Sequence, residues 1–231
     1  MPSIAVVNKS TILTHDVVRD AVAAVQKQVL TDFASYGWPS AEVAFYSDDL
    51  KPAPADQWQM VVLDDTTQAG ALGYHDLPQS GAIVPIGYVF AKTCQQFGIN
   101  WTTTLSHEVL EMLADPWICE AAYHQTSNTD VVLYCWEVCD ACENQSYQID
   151  GISVSDFVTP AWFEDWRAPN STKFDHLGTI RAPLTLAAGG YISTFTPGSG
   201  WQQVSQGAAA RMQARIANGK FTRSQRRMNR K

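Results

Sequence analysis

Residues 105–116 read LSHEVLEMLADP. Leu105, Val109, Met112 and Leu113 recur at helical spacing, so they form one apolar stripe that packs into a core. His107 and Glu111 are four residues apart, one turn on the same face, with Glu108 beside them. The helix starts after Thr102–Thr104 and ends near Ala114, because Asp115 precedes Pro116. Two side chains one turn apart suit a shared metal ion, and an acid next to the first ligand suits proton removal from a water on that ion. The plain alternative is a solvated surface turn.

The surroundings of this helix weigh against that alternative. Between Lys92 and Arg167 there is no Lys or Arg, while the same stretch holds twelve acids, including Asp115, Glu137, Asp140 and Glu143. It is also rich in Trp, Tyr and Phe, so part of it must be buried. Buried carboxylates need a cation or several donors. A bound metal supplies the cation most simply. Pairing with Arg181 or with the basic C-terminal residues is the competing solution.

Upstream, Ile4–Val7 reads as a short buried strand. Thr14 is placed as an N-cap, and Val18, Val22, Val25, Val29 and Phe33 form a helical stripe stopped by Gly37 and Pro39. Val43 and Phe45 mark one strand and Trp58–Leu63 a more buried one. A Gly-containing segment, GALGYHD (70–76), precedes AIVPIGYVF (82–90). Pro85 and Gly87 there predict an edge or irregular strand. Downstream of Trp117 the chain turns aromatic-, Gly- and Pro-rich, with short β-like runs at VVLYCWEV (131–138) and SYQIDGISVSDFV (146–158). The fold class expected is α+β: a mixed sheet with a backing helix over residues 1–116, an irregular β- and loop-rich part over 117–210, and a basic arm over 211–231.

This order of elements resembles the zincin metallopeptidases over about residues 3–115: a mixed sheet, a long helix, a Gly-containing edge strand (GALGYH), then a helix bearing HE. The chain is also similar to uncharacterised HExxE proteins of phage and bacterial genomes. The resemblance implies that His107 and Glu111 are metal ligands and that Glu108 is the general base of a hydrolase, a peptidase acting on a peptide or protein. Common zincins carry His where this chain has Glu111. A Glu ligand makes the site more anionic and harder, so Ca2+, Mg2+ or Mn2+ join Zn2+ as candidate ions.

The third ligand stays open. Gluzincins take a Glu from well downstream, often with an Asp shortly after it, and Glu137 with Asp140 in YCWEVCDACE fits that pattern. Asp115 is the runner-up, although an Asp-Pro turn that ends a helix explains it equally well. Glu143 and His124 follow. Cys135, Cys139 and Cys142 have the C-x3-C-x2-C spacing of a radical-SAM cluster, but the repeated βα units of a barrel are missing. A zinc knot with His124 or His107 is a second reading of these cysteines, and small apolar residues in a strand the favoured one. P-loop, GxGxxG and GxSxG patterns are absent.

Charge is unevenly spread. The formal net charge is -7, yet residues 211–231 hold 8 of the 16 Lys/Arg and none of the 23 Asp/Glu. A basic arm on an acidic body suits self-association with a neighbouring copy, or contacts in a phage particle. A virion or assembly protein that keeps the zincin-like fold without turnover is therefore the alternative to a hydrolase. The acidic body speaks against a broad nucleic-acid footprint. No secretory signal or membrane-spanning run is recognised, so a cytoplasmic protein, or a virion component if phage-encoded, is expected. Disulfides are not expected in that setting.

Overall fold

The computed structural model describes residues 1–66, 71–77, 84–127 and 130–207. The elements in chain order are β1 (Ser3–Asn8), α1 (His15–Gln28), β2 (Glu42–Tyr46), β3 (Trp58–Leu63), β4 (Gly73–Asp76), β5 (Ile86–Phe90), α2 (Ala91–Gln96) and α3 (Trp101–Ala114). They are followed by β6 (Ala121–Gln125), β7 (Val131–Cys135), β8 (Ser146–Ile149), β9 (Ile152–Ser155), β10 (Tyr191–Thr196) and β11 (Gly200–Ser205). This is an α+β architecture. Among the described residues, no helix is long and apolar enough to cross a membrane. The basic residues 211–231 lie outside the described residues.

The main sheet has the order β2-β1-β3-β5-β4. The first four strands in that order run parallel, with Ile4 opposite Val43 and Trp58, and Val61 opposite Tyr88. β4 closes one edge antiparallel to β5, with Tyr74 opposite Tyr88. Parallel strands are covered on both faces, which is why β1 is an almost unbroken apolar run.

β5 corrects the reading of AIVPIGYVF. It is an interior strand between β3 and β4, not an edge or irregular one. Pro85 sits just before its first residue, where no ladder N–H is needed, and the Pro85 carbonyl accepts from Gln59 N–H at 3.1 Å. Gly87 lies opposite Met60. A Cβ at Gly87 would come within 2.5 Å of Met60 Cε and 3.1 Å of Met112 Cε, so the glycine admits two methionines at the sheet–helix interface.

α1 starts as its sequence dictates. The Thr14 side chain accepts from Val17 N–H, and Asp16 lies in the first turn. The helix continues through a π turn, Val29–Phe33, which keeps Val29 and Phe33 buried. α3 begins four residues earlier than the threonines suggest. Asn100 is its cap, accepting from Thr102 N–H at 3.1 Å.

The remaining strands form a second, antiparallel sheet in the order β11-β10-β7-β6 and the hairpin β8-β9. One hydrophobic cluster runs through both sequence halves. It joins Ile4, Val25, Met60 and Leu110 to Phe157, Trp162 and Ile192. A buried polar bridge ties three elements together inside it. Ser106 Oγ donates to Gln28 Oε1 at 2.6 Å, Gln28 Nε2 donates to the Ser155 carbonyl at 2.8 Å, and Ser155 N–H donates back to Ser106 Oγ at 3.0 Å. α3 is thus enclosed on all sides, by the sheet, by β9 and by the turn after β7.

Candidate metal centre

His107, Glu108 and Glu111 lie in the middle of α3 and are buried together with the apolar stripe. The solvated-turn reading is excluded. Around them the fold places Glu137, Asp140 and Glu143 from the turn after β7, and His75 from β4. Each of these seven residues is at most 5% exposed. Burying one charged carboxylate costs several kcal/mol even after relaxation. Five of them together would exceed the roughly 5–15 kcal/mol that holds a domain folded. A positive partner, whether a basic side chain, a metal ion or bound protons, offsets such a cluster.

That partner is not a basic side chain of the described residues. Lys9, Arg19, Lys27, Lys92 and Arg167 pair with exposed or half-exposed acids elsewhere, namely Asp48, Asp16, Asp150, Asp65 and Glu164. Arg181, the competing candidate from the sequence, is itself exposed.

The imidazole of His107 organises the cluster. Its Nε2 lies 3.3 Å from Glu111 Oε1 and 3.3 Å from Asp140 Oδ1, and its Nδ1 lies 3.2 Å from Glu143 Oε2. The donor atoms of His107, Glu111 and Asp140 all fall within 4.8 Å of one another. Charge-assisted hydrogen bonds are shorter, about 2.7–2.9 Å. In a tetrahedron with metal–ligand bonds of about 2.0–2.1 Å, neighbouring ligand atoms stand about 3.3–3.4 Å apart. The two separations from His107 Nε2 match that edge length. Glu143 Oε2 faces Nδ1, the side from which a carboxylate can orient a ligating imidazole. Glu111 Oε1 also accepts from Cys139 N–H at 3.3 Å, which joins the helix to the turn.

Glu108 faces the other way, toward the sheet edge. Its Oε2 lies 3.4 Å from His75 Nδ1. The approach depends on Gly73: a Cβ there would stand 2.8 Å from Thr104 Cγ2 and 2.9 Å from Glu108 Cγ. Strand alternation puts Gly73 and His75 on one face, so the glycine and the imidazole meet α3 together. In the sequence, GALGYH marks an edge strand without singling out His75. The alternation was the available signal.

The other residues singled out from sequence are dispersed. Glu137 is buried near the turn but joins neither group of mutually close donors among the described residues. Asp115 ends α3, its carboxylate accepting from Cys119 N–H at 2.9 Å and Glu120 N–H at 3.1 Å, as in the helix-ending turn. His124 is on β6, paired with Asp165. No cysteine enters a donor group among the described residues. Cys135 lies on β7, the Cys139 thiol donates to the His107 carbonyl, and the Cys142 thiol donates to the Cys139 carbonyl. Burial pushes both of these thiols well above the ordinary range, so they are neutral. Neither a zinc knot nor an iron–sulfur triad is assembled from them.

Comparisons with family profiles, with curated proteins and with solved structures find no match for this chain.

Proposed function

We propose that the protein is a metal-dependent hydrolase of zincin type, acting on peptide bonds, with a divalent ion held by His107, Glu111 and Asp140. The observation that carries this reading is the environment of one imidazole: two carboxylate oxygens at 3.3 Å from Nε2 and a third carboxylate behind Nδ1. One nitrogen and two oxygen donors suit Zn2+ and Mn2+ better than the all-oxygen preference of Ca2+ and Mg2+. The ion would supply a Lewis acid that lowers the pKa of water and polarises a carbonyl. The chain supplies the rest. Glu143 would orient His107, Cys139 N–H orients Glu111, and Glu108, next to His107 in the chain but turned toward β4, would take a proton from the attacking water and pass it to the leaving amine. The antiparallel edge strand β4 beside α3 supports the same reading, since an extended substrate can lie along such an edge.

The test is Glu108→Gln in the full chain, assayed for cleavage of casein and of mixed peptides after loading with Zn2+ or Mn2+. Activity is expected to fall by about 100-fold or more, with at least one equivalent of metal retained. Unchanged cleavage would contradict the role of Glu108. Absence of cleavage by the wild-type protein would favour the second reading.

That second reading is a non-catalytic virion or assembly protein in which the ion is structural. The observation favouring it is the closure of the site, with His107, Glu108 and Glu111 all nearly inaccessible. Closed coordination marks structural sites, whereas catalytic ones keep an open position. In this reading the basic residues 211–231 bind a neighbouring acidic copy.

A further inference from the structure

The proposed ion on His107, Glu111 and Asp140 leaves half of the cluster unexplained. His75 Nδ1 and Glu108 Oε2 stand 3.4 Å apart, again longer than a charge-assisted hydrogen bond and close to the spacing of two ligands on one ion. The donor atoms of His75, Glu108 and Glu111 lie within 4.8 Å of one another, and all three side chains are buried. This second group shares Glu111 with the first. Glu111 lies four residues after His107 and three after Glu108, so on the helix surface it neighbours both. One carboxylate with two oxygens therefore sits between two imidazoles that approach from different elements, His107 on α3 and His75 on β4.

Charge points the same way. Glu108, Glu111, Asp140 and Glu143 close around the two imidazoles. With Glu137 buried in the same turn, five carboxyl groups stand together, more than one divalent ion offsets if they are ionised, and a second ion answers that excess.

We propose that His75, Glu108 and Glu111 form a second divalent-cation site, so that the protein carries a pair of ions bridged by Glu111. The proposal rests on the first site described above. Its ligands, one imidazole nitrogen and two carboxylates, select Zn2+ or Mn2+. Glu108 serves this ion through Oε2, the oxygen toward His75. Oε1, on the side of Gly73, remains as the proton acceptor.

The test is a metal count on the full chain. The protein is stripped with chelator, reloaded with Mn2+, desalted and analysed by elemental mass spectrometry, wild type beside His75→Ala. Two equivalents in the wild type falling to one in His75→Ala are expected. One equivalent in both would overturn the second site and leave the first standing. Two equivalents in His75→Ala would overturn the assignment to His75. None in the wild type would overturn both sites. Electron paramagnetic resonance of the Mn2+-loaded wild type needs no variant and covers the case in which His75→Ala fails to fold. A spin-coupled pair supports the proposal, and the six-line spectrum of isolated Mn2+ contradicts it.

Discussion

Two groups of buried acids lie in this molecule, and they have different surroundings. Around His107, four carboxylates meet two imidazoles, and Cys139 N–H donates to Glu111. Farther along, Asp156 and Asp175 are fully buried on two segments that pair through the Val158–Asp175 bridge. Here the backbone does most of the work. Asp156 accepts from Phe157 N–H at 2.8 Å and Leu177 N–H at 3.2 Å. Asp175 accepts from Thr179 N–H, the Thr179 hydroxyl and Ile180 N–H. The remaining imbalance is met by a proton, because burial and then the adjacent Asp175 raise the pKa of Asp156 to about 8. The contrast teaches how to recognise a cation site. Buried acids that turn inward to N–H donors and keep a proton are structural. Buried acids that crowd imidazole nitrogens at ligand spacing form the arrangement that we propose a cation completes.

The strongest way to sharpen this contrast is to titrate the Asp156 pair. Its folded pKa of about 8 lies above its ordinary value of 3.8. The native state therefore keeps a proton that the unfolded chain has already lost. Its contribution is complete below about pH 4 and is lost as pH rises toward 8, by up to about 1.4 kcal/mol per pH unit. His176, whose pKa burial lowers, acts in the opposite sense and is present in either variant. Asp156→Asn should flatten the decline of stability between pH 5 and pH 8, as read from urea unfolding. An identical slope in wild type and variant would mean that Asp156 carries no proton, and the distinction between the two groups would fail.

Legibility in the sequence follows the range of the interaction. His107, Glu108 and Glu111 were visible because a helix brings i, i+3 and i+4 together whatever the rest of the chain does. Glu137 and Asp140 stay alternatives in the sequence because the choice depends on the tight turn Asp140–Cys142, which no periodicity foretells. That turn brings Asp140 and Glu143 to opposite nitrogens of His107, and leaves Glu137 outside the groups of mutually close donors. The lack of Lys and Arg over 93–166 signalled a buried cation requirement without saying which acids shared it. The edge-strand reading of residues 82–90 failed because Pro85 was counted inside a strand that begins after it.

A smaller effect is expected at Gly73. Ala there must displace Thr104 or Glu108, at about 1–3 kcal/mol by analogy with other overpacked sites. Denaturant unfolding of Gly73→Ala measures the cost. The loss should appear without any change in the pH slope set by Asp156, since the two groups are separate. A neutral substitution would mean that β4 does not bear closely on Glu108.

The central claim is that a cation neutralises the His107 cluster. Thermal unfolding of the full chain at pH 7, with and without a chelator, tests it most directly, with His107→Ala as the comparison. A ligand at 1,000 times its Kd adds about 4 kcal/mol, which for a chain of this size is on the order of 10 °C. Chelation should lower the wild-type Tm by about that amount, readdition of Zn2+ or Mn2+ should restore it, and His107→Ala should respond to neither. A wild-type Tm unmoved by chelation, in protein shown to contain no metal, would contradict the account and leave the acids of α3 to be neutralised by protons, like Asp156.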